Sequence, residues 1–151
     1  MIKICFVCLG NICRSPMAEF IMKKKIKDLN LESEISITSR ATSYEEQGND
    51  IYPSAKRKLS EKNIPYSKHQ ATCLEPNDYD KYDYFICMEQ RNVNNTLRIF
   101  SKDPKNKIIR LLDLTATPKD IEDPWYTDDF DVTYDELNYG IEKLIEILLK
   151  K

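Results

Sequence analysis

The stretch Ile2-Lys3-Ile4-Cys5-Phe6-Val7-Cys8-Leu9-Gly10-Asn11-Ile12-Cys13-Arg14-Ser15-Pro16 decides the fold of this 151-residue chain. Ile2 to Cys8 is short, apolar and β-branched, the composition of a strand buried on both faces of a sheet. Gly10 and Asn11 then break it, and both residue types tolerate the left-handed backbone that a tight turn tends to need. Ser15 can N-cap a helix, and Pro16 fits a first helical turn, where no backbone N–H is required. Ala18, Ile21, Met22, Ile26 and Leu29 follow at helical spacing.

The rest of the chain repeats this alternation. Ile35 to Ser39 reads as a second strand, and Pro53 to Asn63 as a short helix with Ala55 and Leu59 inward. Tyr84 to Met88 reads as a third strand, followed by a helix through Val93, Leu97 and Phe100. Lys107 to Leu112 reads as a fourth strand. A last helix carries Leu137, Ile141, Leu144 and Leu148 on one stripe. Strands alternating with helices imply an α/β fold around a parallel sheet, and the length implies one domain over 1–151. Such sheets bind ligands beyond the carboxyl ends of their strands, at a switch in strand order. Chemistry is therefore expected between Cys8 and Ser15.

Composition excludes several classes. Basic residues number 23 and acidic residues 25, for a net charge of −2, which argues against a nucleic-acid binder. No apolar run reaches the ~18 residues of a membrane span, and the N-terminal residues lack a signal-peptide layout. Five cysteines, an odd count, do not read as a disulfide scaffold, so a cytoplasmic location is expected. Cys5 and Cys8 form a C-x-x-C, but zinc needs a second ligand pair and His69 is the only histidine. No metal and no cofactor are expected. Lys23-Lys24-Lys25 reads as a solvated helix face.

The spacing Cys8, five residues, Arg14, Ser15 has a chemical meaning. A turn from a strand end into a helix N-terminus can aim successive backbone N–H groups at one point, making an anion cradle. Arg14 adds a planar fork matched to two phosphate oxygens. Cys8 sits at the mouth of this positive site, which favours thiolate over thiol. The Ser15 hydroxyl can donate to that sulfur. Ester cleavage further needs a proton donor for the leaving oxygen. Residues 120–136 hold eight carboxylates and no Lys or Arg, and among them lies Asp123-Pro124-Trp125-Tyr126. Pro124 restricts Asp123 to an extended backbone, and Trp125 and Tyr126 can wall a slot for an aromatic ring. Asp128 and Asp129 read as solvated acids.

Through Val7 to Glu19 and Asp123-Pro124-Trp125-Tyr126, the chain resembles the low-molecular-weight protein tyrosine phosphatases over essentially its whole length. The resemblance implies a three-layer fold, a four-stranded parallel sheet in flavodoxin-like order flanked by helices. It implies that Cys8 is the nucleophile of a phosphocysteine intermediate, and that Arg14 clamps the phosphate. Asp123 then protonates the phenolate and later activates water. Leu9, Gly10, Asn11, Ile12, Cys13 and Ser15 complete the phosphate-binding loop. Asn11 sets its left-handed backbone, helped by Ser39 after the second strand, and Cys13 matches the redox partner of Cys8. Trp125, where the family commonly has Tyr, and Tyr126 match one cleft wall. Tyr44 or Glu45 takes the opposite wall, with Tyr44 assigned to it. The implied partners are a phosphotyrosine-containing protein or a small aryl phosphate, with inorganic phosphate as inhibitory product.

Three rival functions share parts of this pattern. Arsenate reductase needs a relay of further cysteines, and Cys73 and Cys87 stand 14 apart. Protein-arginine phosphatase carries Thr where this chain has apolar Ile12. A silent phosphate-binding module would not need the Asp-Pro acid.

Overall fold

The computed structural model describes residues 1–150. Seven β-prone residues give β1 (Ile2–Cys8), and α1 (Arg14–Asp28) follows after a five-residue turn. Next come β2 (Ile35–Ala41), α2 (Pro53–Glu61), β3 (Tyr84–Cys87), α3 (Gln90–Phe100) and β4 (Ile108–Arg110). A four-residue α4 (Pro124–Thr127) and the long α5 (Phe130–Leu149) complete the chain. Short 3-10 segments lie at Pro76–Lys81 and Leu111–Leu114. The expected fourth strand, Lys107 to Leu112, is thus only three residues long, because its last two leucines turn into the 3-10 segment and bury there.

All four strands are parallel, in the order β2-β1-β3-β4. This is the flavodoxin-like order, with β1 central and the switch point between β1 and β3. Alternation along β1 builds two cores. Ile4, Phe6 and Cys8 enter the larger one with Met17, Ile21, Leu137 and Ile141 from α1 and α5. Cys5 and Val7 enter the smaller one, beneath α3, with Phe85 and Cys87. The sheet therefore lies between two helical layers, as expected. Each fully buried Ile, Leu or Phe side chain in these cores contributes roughly 1.5–3 kcal/mol of transfer free energy.

Leu29 was expected on the inner stripe of α1. It caps the helix instead and is exposed, because α1 ends at Asp28. Leu97 of α3 is exposed as well. In α5, Gly140 permits a close approach: a Cβ there would lie 2.6 Å from Leu111 Cγ. That contact offsets the ~1 kcal/mol helix-propensity cost of a mid-helix glycine. The Lys23-Lys24-Lys25 run is solvent-facing and salt-bridged to Glu19, Asp28 and Glu142.

Candidate active site

β1 ends at Cys8 in the middle of the sheet, and the turn to α1 closes around its sulfur. Asn11 has φ +61°, the left-handed conformation. Its backbone N–H donates to Cys8 Sγ at 3.3 Å. Gly10 is not left-handed; a Cβ there would meet Glu46 Cγ at 3.3 Å, a tight contact that the glutamate side chain would have to give way to. Ser15 was expected as an N-cap. The helix starts one residue earlier, at Arg14, and no side chain caps it. The Ser15 hydroxyl faces inward instead, 3.0 Å from Cys8 Sγ, and accepts from Asn11 Nδ2 at 2.8 Å.

Long-range contacts hold the turn. Thr72 N–H donates to Asn11 Oδ1 at 3.2 Å. His69 Nε2 lies 2.8 Å from the Asn11 carbonyl, and since a carbonyl can only accept, that nitrogen carries the proton. Tyr52 N–H donates to the Ile12 carbonyl at 2.9 Å. Neither His69 nor Thr72 carried a sequence signal, because each acts through a contact with a residue about sixty positions away. Ser39 was expected to support Asn11 from beyond the second strand. It lies inside β2, and its hydroxyl donates to Glu19 Oε1 at 2.6 Å. The direct ties to Asn11 come from Ser15, Thr72 and His69.

Arg14 is buried, and three of its N–H groups are directed by protein acceptors. Nη1 donates to the Ile121 carbonyl at 3.0 Å and to Glu89 Oε2 at 3.3 Å, and Nη2 donates to Asp123 Oδ2 at 3.3 Å. Burial disfavours the guanidinium charge, but Cys8, Asp123 and Glu89 outweigh it and hold the pKa above the ordinary arginine value. Nε–H and one Nη2–H are left with no partner among the described residues, which is the edge that matches two oxygens of a tetrahedral anion. Glu89 was not foreseen; only its place after β3, at the carboxyl end of the sheet, could have marked it.

Asp123 arrives from the far end of the chain. Its extended backbone (φ −85°, ψ 108°) suits the residue before Pro124. Oδ1 accepts from Trp125 N at 3.0 Å and so caps α4. Trp125 and Tyr126 are 54% and 76% exposed and form one wall of a cleft of about 160 Å³. Residues 8–14 line it too, as do Glu45 and Glu46 from the side assigned to the opposite wall. Tyr44, assigned to that side, points elsewhere: its hydroxyl donates to Glu75 Oε1 at 2.5 Å. Of residues 44–46, the two carboxylates line the cleft and the tyrosine does not. Asp129, read as merely solvated, N-caps α5 by accepting from Val132 N at 3.1 Å.

Cys13 is buried beside the cleft floor, and burial, with the Cys8 and Asp123 charges, pushes its thiol up to about 12. All five cysteines are free thiols. Among the described residues no group of His, Cys, Asp or Glu could hold a metal ion, and no helix is long and apolar enough to cross a membrane.

Comparison with known proteins gives one answer. The family model described as low molecular weight phosphotyrosine protein phosphatase matches residues 3–151. The low molecular weight protein-tyrosine-phosphatase PtpA of Staphylococcus saprophyticus is 38% identical over 151 residues, covering 99% of this chain and 96% of the relative. PtpA of Staphylococcus aureus is 34% identical over the same length. The crystal structure of SP-PTP from Streptococcus pyogenes superposes with a TM-score of 0.89 at 36% identity, over 98% of this chain and 93% of its own. That of YfkJ from Bacillus subtilis gives 0.95 at 32%, over 99% and 96%. The chain thus belongs to the low molecular weight phosphotyrosine protein phosphatase family, and it is an enzyme, a hydrolase of that family.

Proposed function

We propose that this chain hydrolyses phosphotyrosine in proteins, and small aryl phosphates, through a phosphocysteine intermediate. The observation that carries the reading is the convergence of Cys8, Arg14 and Asp123 on one cleft, with Asp123 Oδ2 3.3 Å from Arg14 Nη2. The uncommitted edge of Arg14 takes two phosphoryl oxygens. Cys8 Sγ attacks phosphorus, the P–O bond to the ring breaks, and the protonated Asp123 gives its proton to the departing phenolate. Water then attacks the phosphocysteine and loses a proton to Asp123. The S–P bond breaks and inorganic phosphate leaves, with Cys8 restored as thiolate. Because the product fits the same cradle, it competes with substrate. The Ser15 hydroxyl, 3.0 Å from Sγ, stabilises the sulfur both as nucleophile and as leaving group.

The cleft supports an aryl substrate. Ile12 lines it beside the floor, and Trp125 and Tyr126 offer flat faces to a phenyl ring. A phosphoarginine guanidinium would be desolvated against Ile12, at about 1–3 kcal/mol where the Glu45 and Glu46 carboxylates do not reach it. Phosphotyrosine is expected to exceed phosphoarginine by about 10- to 100-fold in kcat/KM. Cys87 is a core residue of β3 near Thr96 Oγ1, which speaks against the thiol relay of an arsenate reductase. The five free thiols fit a reducing compartment, the cytoplasm.

Side-by-side turnover of an aryl phosphate, a phosphotyrosine peptide, phosphoserine, phosphoarginine and arsenate tests this reading, with EDTA expected to leave it unchanged. Ile12→Thr is expected to narrow or invert the phosphotyrosine-to-phosphoarginine ratio. Equal rates on the two substrates in the wild type would move the assignment to the arginine branch. A preference for phosphoserine would refute the aryl slot.

A further inference from the structure

Tyr52 belongs to neither catalytic motif, yet it joins the two halves of the cleft. It precedes Pro53, which holds its backbone extended at φ −56°, ψ 137°. Its N–H is tied to the Ile12 carbonyl at 2.9 Å, so its position follows the phosphate loop. Its ring meets Trp125 edge to face, with centroids 5.2 Å apart at 65°. Its other neighbour is Phe130, at the start of α5, near parallel at 6.3 Å. Trp125 is otherwise half in solvent, and no other aromatic ring stacks on it among the described residues. The Trp125 backbone N–H in turn holds Asp123 Oδ1.

We propose that Tyr52 is a positioning residue: its ring props Trp125 and, through it, fixes the Asp123 carboxyl over the phosphate loop. The inference rests on the reading of Asp123 as the acid. Proton delivery depends on placement, and small shifts of a catalytic group are costly. The hydroxyl of Tyr52 has no hydrogen-bond partner among the described residues, so the ring alone is needed.

The test is the dependence of kcat on leaving-group acidity, measured over a series of aryl phosphates. Tyr52→Ala is expected to lower kcat by about 3- to 10-fold for poorly acidic phenols, the worth of such a ring pair as a ratio. It should have far less effect on strongly acidic phenols, which steepens the series. Tyr52→Leu, which keeps the core side filled, is expected to give the same steepening should Tyr52→Ala fold poorly. Tyr52→Phe is expected to restore the wild-type series. In an Asp123→Ala background the Tyr52 substitution should steepen nothing further. A uniform loss across all leaving groups, or no rescue by Phe, overturns the proposal. An unchanged series in Asp123→Ala alone overturns the acid assignment on which it rests.

Discussion

The phosphate loop and the acid loop meet in one cleft but are built differently. Residues 8–15 are mostly buried, and their polar groups are tied to Thr72, His69, Tyr52, Glu89 and Ile121. The segment around Asp123 lies at the surface, its Trp125 and Tyr126 largely in solvent. Ile121 N–H donates to the Met88 carbonyl, Glu122 N–H donates to Glu136 Oε1 and the Glu122 carbonyl accepts from Thr133 Oγ1; beyond these the segment leans on the contacts of Asp123 and Trp125. The difference matches the two tasks proposed for them. A cradle stabilises developing charge only if its donors are already aimed. An acid that must give a proton and then take one from water works at a solvent-accessible position.

Breaking the cradle should cost most. Cys8→Ser is expected to abolish turnover while phosphate still raises Tm, because the hydroxyl is a poor nucleophile but the donors remain. Arg14→Ala should lose about 10³–10⁵ in kcat, the scale of a transition-state arginine. Substantial turnover by Cys8→Ser would end the covalent mechanism.

Breaking the acid loop should cost less and should depend on the substrate. Asp123→Ala is expected to slow hydrolysis by about 10²–10⁴, the usual worth of a positioned acid. The loss should shrink for acidic phenols, which depart without a proton. Equal losses across leaving groups would show that another group serves as acid.

Cys13 sharpens the comparison from the buried side. Its thiol is held at about 12 and that of Cys87 likewise, both chiefly by burial, against an ordinary value of 9.0. Above pH ~9 the unfolded chain sheds these protons while the native chain keeps them, so stability falls as pH rises from about 9 to about 12. Thermal melts at pH 8 to 10.5 should show the decline, and Cys13→Ser should flatten it. A neighbouring thiol can also capture a sulfenic acid on Cys8 as a disulfide. Cys13→Ser should then keep most activity but lose thiol-dependent recovery after mild peroxide. Full recovery in that variant would take the role from Cys13; Cys5, the next candidate by sequence proximity, lies on the opposite face of β1, in the smaller core.

The smallest effect expected is at the hinge between the acid loop and α5. Asp129→Ala removes the N-cap of α5 and should cost about 1 kcal/mol by denaturant titration, with little change in kcat.

What could be read from the sequence was whatever neighbours in the chain decide. β1, the turn at Asn11 and the stripe of α5 rest on local composition and period, and the structure reproduces them. The Cys8, Arg14 and Asp123 set was legible because its residue types carry their chemistry with them. Glu89, His69 and Thr72 were not, since each enters the site through one contact distant in sequence. The Tyr44 assignment failed for a related reason. In a loop without period, nothing in the neighbouring residues reports that Glu75 draws the tyrosine hydroxyl away. Ser15 went the other way because the sulfur of Cys8 competes with a helix cap for the same hydroxyl.

The ties of Arg14 to Ile121 and Asp123 span 107 and 109 positions of chain. Cys8, the proposed nucleophile, is therefore synthesised more than a hundred positions before Asp123, the proposed acid. Over that span a nascent chain carries its cysteine turn without the carboxylate that completes the cleft. Recovery of activity on refolding should track the slowest global probe, with no active fragment appearing ahead of it.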